Sequence, residues 1–297
     1  MDTACANVTG FSELYEKFHQ KITLAGRSES TLKNYGHHLA KLGLHFGCLP
    51  TALDTDQVDD YLYHVKQKHP SVSDSFFKFT IYGLRFVYRM EGLKDKRLEL
   101  PSLKNEKKLP VVLSQAEVRR ILKAPKLLKH RVLLGLLYGC GLRCFEVRNL
   151  QIADLDFDRK MLHVRKGKGK KDRYVPLADI LVRGLKAYLD AERPDTWLFN
   201  GKPNGRAGGD FDGRYSNRGV QWAVKQAAKD AGIIKDMTVH TLRHTFATHL
   251  LEEGLDIISI KDLLGHECID TTMVYLHVAQ CGRVKPFSPL DRLYPKK

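Results

Sequence analysis

The chain has 297 residues, a length typical of two domains, and 43% of them are hydrophobic, which is enough to build folded cores. Its formal net charge is +15, and its pI is about 9.5. An excess of this size without a low-complexity basic tail predicts a polyanionic partner, most commonly nucleic acid. A membrane surface is the alternative, but no apolar run approaches the length of a spanning helix.

The N-terminus and the cysteines point to the same compartment. The first residues lack the basic start and the apolar stretch of a secretory signal peptide, so we expect a cytoplasmic protein. Six cysteines are scattered along the chain without a CxxC pair, which is typical of reduced thiols. Cys140 and Cys144 lie in an apolar segment, and we expect them to pack in a core.

Residues 10–92 carry the pattern of helices throughout. Ser28 and its neighbours offer capping side chains before a helix that should run to about Phe46. A second clear helix should follow Ser71-Val72-Ser73 and stop at Gly92.

One face of the second helix is basic. Lys78, Tyr82, Arg85 and Arg89 recur there at spacings of three and four. Such a stripe is either an ordinary solvated face or a surface that follows DNA phosphates, and the net charge favours the second. We therefore assign Lys78, Arg85 and Arg89 to DNA binding.

A linker divides the chain. Residues 101–111, PSLKNEKKLPV, contain two prolines, four charges and few apolar side chains. We predict a helical DNA-binding domain over 1–103, a linker over 104–111 and a larger mixed domain over 112–297. The predicted fold class is mainly α with a small β-sheet.

The second domain should contain a β-hairpin. Ser114 and Glu117 have the spacing of a capping box at its first helix. Further on, the β-prone runs 161–165 and 173–177 flank a glycine-containing loop, which indicates a hairpin. From 178 onward the pattern is helical again, except for a loop near 200–218.

The tip of this hairpin is strongly basic, with six Lys or Arg among residues 165–173. Like charges on a tight turn repel one another unless an anion is near. The hairpin is therefore either a solvated basic loop or a device that brings lysines to a phosphate. The second interpretation makes the following residues DNA contacts: Lys166, Lys170, Lys171 and Arg173.

A histidine and an arginine recur one helical turn apart at His240 and Arg243. A guanidinium can bind two phosphoryl oxygens at once, and an imidazole can give or take one proton. The alternative is a zinc site of His240, His244 and His249, but no HExxH pattern and no carboxylate between the histidines accompany it. We expect no metal, and we assign His244 and His249 structural or supporting roles.

His266 follows Gly265 at a predicted helix end, and Tyr275 comes nine residues later. Most of the twelve tyrosines should serve packing alone. Tyr275 becomes a candidate nucleophile only because of the motifs that precede it.

Five motifs follow one another along the chain: Gly141-Leu142-Arg143-Cys144-Phe145-Glu146-Val147, Gly167-Lys168-Gly169, His240-Thr241-Leu242-Arg243-His244, Leu264-Gly265-His266 and Tyr275. In order and spacing they resemble the tyrosine recombinases, the phage integrase family, over about residues 10–285. The resemblance implies a C-shaped clamp around DNA, with a helical core-binding domain in front and a catalytic domain behind.

The resemblance also implies a mechanism. Tyr275 attacks a DNA phosphate and forms a covalent 3′-phosphotyrosine link, although its ordinary pKa of about 10 means that it needs help to ionise. Arg143 and Arg243 bind the non-bridging oxygens. Lys168 protonates the leaving 5′ oxygen as general acid.

Three further residues complete the implied site. His240 and His266 hydrogen-bond the phosphate, and His240 is a candidate acceptor of the tyrosine proton. Glu146 orients its arginine or histidine neighbours. No metal, ATP or other cofactor is required, and four protomers assemble on two sites of double-stranded DNA.

Some alternatives stay open. A type IB topoisomerase uses a similar constellation to relax DNA, and a DNA-binding regulator could keep the fold without activity. Cys144 and Phe145 depart from the small or aliphatic residues usual after the motif arginine. The C-terminal tail is similar to those of integron and transposon enzymes, yet the stretch before His240 is short for an integron integrase. The sequence does not decide among Xer, integron, transposon and phage enzymes, nor between integration and excision of a mobile element.

Overall fold

The computed structural model describes residues 1–69, 72–101, 109–165, 172–201 and 212–279. The chain divides into two compact units, residues 1–106 and 107–297. Within the described ranges the fold is mainly helical with one small antiparallel sheet, which confirms the predicted fold class. No helix in these ranges combines the length and the apolar character needed to cross a bilayer.

The first unit is a bundle of helices. These are α1 (Asp2–Asn7), α2 (Phe11–Leu24), α3 (Glu29–Phe46), α4 (Thr55–Lys68) and α5 (Asp74–Met90). The predicted cap at Ser28 is confirmed, because its hydroxyl accepts a hydrogen bond from the Thr31 backbone N–H. The apolar faces of α3 and α5 pack into one core with Phe18, which is fully buried.

The second unit combines the small sheet with helices. Its helices are α6 (Gln115–Lys123), α7 (Leu128–Gly139), α8 (Cys144–Arg148), α9 (Asp179–Glu192), α10 (Asn217–Asp230), α11 (Val239–Glu252), α12 (Ile257–Leu264) and α13 (Asp270–Met273). Two 3₁₀ turns lie at Ile152–Asp154 and Val274–His277. The strands are β1 (Leu155–Asp156), β2 (Met161–Val164) and β3 (Arg173–Pro176), in that order and antiparallel.

The predicted hairpin is confirmed at its base. Leu162 on β2 faces Val175 on β3, and both side chains are fully buried. Residues 166–171, which form the predicted basic tip, lie outside the described residues. The capping box also forms, since Glu117 accepts from the Ser114 N–H at 2.7 Å and donates its own N–H to the Ser114 hydroxyl at 3.2 Å.

Helix α11 runs through the middle of the second unit. Leu242 and Phe246 are buried, and Thr245 and Thr248 on its other faces are fully buried too. The Thr245 hydroxyl donates to the Thr241 carbonyl at 2.7 Å and accepts the Leu113 N–H at 3.1 Å. Most side chains of α11 from Thr241 to His249 are therefore held in a packed interior. Cys140 is buried as predicted, and burial raises its pKa to about 12.

Candidate active site

A cavity of about 280 Å³ lies in the second unit. Its lining residues are Arg143, His240, Arg243, His244, His266, Glu267, Cys268, Thr271 and Tyr275. The structure thus brings together five of the six residues that the sequence assigns to catalysis. The sixth, Lys168, lies outside the described residues, as do Lys166, Lys170 and Lys171.

Two glycines shape the entry of the motif residues into the cavity. Gly141, two residues before Arg143, has φ +59°, and a Cβ there would lie 2.4 Å from the Phe246 ring. Gly265 has φ +63° and ends α12 immediately before His266. Both positions need a left-handed backbone that a residue with a Cβ adopts only with strain. His240 and Arg243 project from neighbouring turns of α11.

The carboxylate of Glu146 is the centre of an arginine cluster. It accepts from the guanidinium of Arg143 at 2.7 Å and from two nitrogens of Arg173 at 2.9 and 2.8 Å, and Arg243 lies 3.7 Å away. Burial alone would raise the pKa of Glu146, but the hydrogen bonds and charges of Arg173 and Arg143 outweigh it and lower the pKa to about 2. One carboxylate against three guanidinium groups leaves a positive excess beside the cavity.

The C-terminal end of α12 holds the same arginines from the other side. Arg173 donates to the Leu263 carbonyl at 2.7 Å, Arg243 to the Leu264 carbonyl at 2.6 Å and Arg143 to the Gly265 carbonyl at 3.3 Å. The last carbonyls of a helix lack partners within the helix and carry partial negative charge, so they attract cations.

Arg243 is almost completely enclosed, with 3% of its surface exposed. It also donates to the Gly141 carbonyl at 2.6 Å. Burial, assisted by the positive charge of Arg143, lowers the pKa of Arg243 to about 9, which leaves the guanidinium charged at neutral pH. The cost of burying this charge is offset by the carbonyls and by Glu146.

Tyr275 is buried, with 1% of its surface exposed, and its hydroxyl lies 3.1 Å from Nδ1 of His244. Burial raises the pKa of Tyr275, and the charges of Arg243 and Arg143 partly offset the rise. Burial, together with the electrostatic effects of His240 and Arg243, lowers the pKa of His244 to about 4. His244 is therefore neutral at neutral pH and able to accept the phenol proton at Nδ1. The motifs made His240 the candidate acceptor and gave His244 a structural or supporting role, whereas the histidine at hydrogen-bond distance from Tyr275 is His244.

The two other histidines of the cavity differ in their support. Nδ1 of His266 lies 2.8 Å from the hydroxyl of Thr272, which is fully buried, so the ring orientation is fixed. His240 keeps an exposed surface. Its partial burial and the charges of Arg243 and Arg143 lower its pKa. Thr272 carries no signal in the sequence that would have marked it.

The residues that the sequence assigns to DNA contact fall into two groups. Lys78, Arg85 and Arg89 are exposed on α5 in the first unit, and Arg85 also donates to the Leu98 carbonyl at 2.8 Å. Arg173, in contrast, turns inward: only 9% of its side chain is exposed, and its guanidinium is bonded to Glu146 and Leu263. The sequence assigned Arg173 to DNA contact, but the structure directs its guanidinium into the interior.

The three histidines of α11 do not converge. His249 is buried, with Nδ1 at 2.9 Å from the Tyr138 hydroxyl and Nε2 at 2.9 Å from the Leu113 carbonyl. The rings of His240 and His244 are 6.3 Å apart. In the described ranges no group of three or more His, Cys, Asp or Glu side chains is arranged to hold a metal.

Comparison with known proteins agrees with this geometry. The model of the phage integrase family matches residues 111–281. The chain is 34% identical over 268 residues to the tyrosine recombinase XerA of Pyrococcus horikoshii, covering 90% of each chain. It is 32% identical to an integrase/recombinase of Escherichia coli, covering 95% of this chain and 94% of that one. The chain therefore belongs to the phage integrase family, and it is a tyrosine recombinase.

Solved structures share the fold. The crystal structure of XerA recombinase matches with a TM-score of 0.51 at 28% identity, covering 90% of this chain and 94% of that chain. The XerH site-specific recombinase, bound to a palindromic difH substrate as a post-cleavage complex, gives 0.66 at 21% identity, covering 84% and 76%. The Tn1549 transposon integrase in complex with circular intermediate DNA gives 0.65 at 18% identity, covering 88% and 94%.

Proposed function

We propose that this cavity is the active site of a site-specific DNA recombinase, in which Tyr275 cuts and rejoins DNA through a covalent 3′-phosphotyrosine. The observation that carries the proposal is the position of the Tyr275 hydroxyl in one cavity with two fixed guanidinium groups and three histidines. Family membership supports the same reaction.

Cleavage is a transfer of one phosphoryl group between two oxygens. The bond from Tyr275 Oη to phosphorus forms while the bond from phosphorus to the 5′ oxygen breaks. The phenol proton passes to His244, which lies at hydrogen-bond distance, and Lys168 supplies the proton that the leaving 5′ oxygen needs. Religation by a 5′ hydroxyl reverses each step, so the phosphodiester energy is conserved and no ATP is consumed.

Arg143 and Arg243 stabilise the phosphate as it gains charge. A guanidinium has five N–H donors, and each of these arginines uses some of them on Glu146 or on backbone carbonyls. These bonds fix the planes of both groups before DNA arrives, and further N–H donors remain for the non-bridging oxygens. Such preorganised charge is worth more in an enclosed site than in water. His266, oriented by Thr272, and His240 add hydrogen bonds to the same oxygens.

DNA binding is part of the proposal. The net charge of +15 and the exposed side chains of Lys78, Arg85 and Arg89 support a duplex that is held by phosphate contacts. In this proposal both units contact the duplex, four protomers assemble on two paired sites, and the protein acts in the cytoplasm. Integration or excision of a mobile element is the reaction that the family favours.

The test is trapping of the covalent intermediate on a nicked suicide substrate, from which the cleaved fragment diffuses away. Wild-type protein should form a covalent protein–DNA adduct, and Tyr275→Phe should bind the same duplex without forming it. Tyr294→Phe is the control and should keep the adduct. An adduct that survives in Tyr275→Phe refutes the assignment. On paired intact sites, products with exchanged partners distinguish recombination from relaxation by a topoisomerase.

A further inference from the structure

Arg173 begins β3, at the foot of the basic hairpin, yet its side chain is directed into the protein. Its two terminal nitrogens donate to the two carboxylate oxygens of Glu146 at 2.9 and 2.8 Å, and Nε donates to the Leu263 carbonyl at 2.7 Å. All three nitrogens are therefore engaged, and 9% of the side chain is exposed. Because so little of this side chain is exposed, a phosphate contact would require it to turn out of the interior.

The contacts join three segments that are distant along the chain. Glu146 lies in α8, 27 residues before Arg173, and Leu263 lies in α12, 90 residues after it. The paired parallel bonds to a carboxylate use the planar fork of a guanidinium, which a lysine cannot reproduce. Arg173 thus links β3 to α8, whose Glu146 binds Arg143, and to α12, whose last carbonyl binds Arg243.

Glu146 divides its oxygens between Arg173 and the two arginines of the cavity. Oε1 accepts from the guanidinium groups of Arg173 and Arg143, while Oε2 accepts from Arg173 and from the Arg143 backbone N–H and lies 3.7 Å from Arg243. A buried carboxylate must be compensated by nearby donors. Without Arg173, the nearest source of that compensation is the pair Arg143 and Arg243, which would turn towards Glu146 and away from the cavity.

The backbone at Gly265 leaves room for this arrangement. A Cβ at residue 265 would lie 3.2 Å from both Cδ and Nη1 of Arg173. The glycine that ends α12 therefore also admits the Arg173 side chain beneath the turn that carries His266.

We propose that Arg173 is a positioning residue of the recombination reaction: by occupying Glu146 and the end of α12, it keeps Arg143 and Arg243 directed at the scissile phosphate. This inference rests on the proposed function. It replaces a DNA-contact role for Arg173, and the two roles predict different measurements.

The first measurement is DNA affinity against salt concentration. A residue that contacts one phosphate contributes about 0.9 to the slope of log K against log salt. Arg173→Gln and Arg173→Lys should both keep the wild-type slope. Arg89→Gln, which removes an exposed arginine of α5, is the control expected to lower it. A slope that falls by about 0.9 in Arg173→Gln would overturn the proposal in favour of DNA contact.

The second measurement is single-turnover adduct formation on two suicide substrates. One carries an ordinary scissile phosphate, and the other carries a methylphosphonate, whose neutral ester needs less charge stabilisation. On phosphate, Arg173→Lys should be slower by about 10- to 100-fold, the typical cost of misplacing reactive groups. On methylphosphonate the loss should be much smaller, because mispositioned guanidinium groups matter less there.

Leu185→Ala controls for loss of stability alone, since Leu185 is fully buried on α9 and does not line the cavity. It should show equal relative rates on both substrates. All variants are assayed at temperatures below their unfolding transitions. If Arg173→Gln does not fold, Arg173→Lys, which retains the positive charge, is the variant to measure. The positioning role is overturned if Arg173→Lys loses rate equally on both substrates or keeps the wild-type rate. The proposed function is still upheld in that case, provided that the wild-type protein forms the adduct. Absence of any wild-type adduct overturns the proposed function itself.

Discussion

Replacing His244 tests how the nucleophile loses its proton. At neutral pH a phenol with an ordinary pKa of about 10 is ionised in roughly one molecule in a thousand, and burial raises the pKa of Tyr275 further. Attack therefore needs a proton acceptor within reach, and Nδ1 of His244 at 3.1 Å is such an acceptor. His244→Leu removes it and puts an apolar side chain of similar size in its place.

The expected magnitude follows from the environment of the pair. A general base contributes about 10²–10⁴ in rate. His244, with a pKa lowered to about 4, is a weak base, so we expect the lower end, about 100-fold slower cleavage in His244→Leu. The lost hydrogen bond should also cost the fold about 1–3 kcal/mol, because it leaves a buried hydroxyl unpaired.

The assay is single-turnover adduct formation on the suicide substrate, with DNA affinity measured separately. His244→Asn should stay slow, because its amide oxygen can accept a hydrogen bond from the phenol but is too weakly basic to take its proton. The matched control is His130→Leu, which removes another histidine–tyrosine bond, to Tyr215 at 3.2 Å, away from the cavity. Cleavage by His244→Leu at the wild-type rate or faster would show that His244 only restrains the tyrosine, and the reasoning would fail.

Three further predictions concern charge and protons. First, a substrate with a 5′-bridging phosphorothiolate, whose sulfur leaves without a proton, should rescue Lys168→Ala but not Arg143→Ala; equal rescue of both would remove Lys168 from its role as general acid. Second, burial lowers the pKa values of His38 and His244 to about 4. The unfolded chain then binds more protons as the pH falls from about 6.5 towards 4, so the free energy of unfolding should be greatest above pH 6.5 and decrease across that window. Denaturant titrations at several pH values measure the decrease, which should shrink when both histidines are replaced by Gln; an unchanged decrease would contradict the assignment. Third, EDTA should leave cleavage intact, and activity that EDTA removes and zinc restores would revive the histidine metal site.

Local sequence patterns were sufficient to predict most secondary structure elements and part of the candidate site. The cap at Ser28, the hairpin and the one-turn spacing of His240 and Arg243 depend on neighbouring residues, so the sequence predicts them. Strand β1 was missed because two residues are too short to show an alternating pattern.

The partners of the site side chains could not be predicted in the same way. The sequence places Arg173 in a basic run that we assigned to DNA contact, but its bonds reach 27 and 90 residues along the chain. His244 meets Tyr275 across 31 residues, and only the packing of α11 against the turn at Val274–His277 brings them together. These pairings are tertiary contacts, which neither hydrophobic periodicity nor helix-capping motifs can predict.

The end of α12 has a consequence for how this site can vary. Three guanidinium groups are bound there by main-chain carbonyls, which every amino acid possesses. The cluster therefore depends on the residue at which the helix stops more than on the side chains of its last turn. Inserting or deleting one residue in α12 would rotate those carbonyls by about 100° and present them to the wrong partners. Changes of helix length should thus be far less tolerated in this segment than changes of composition.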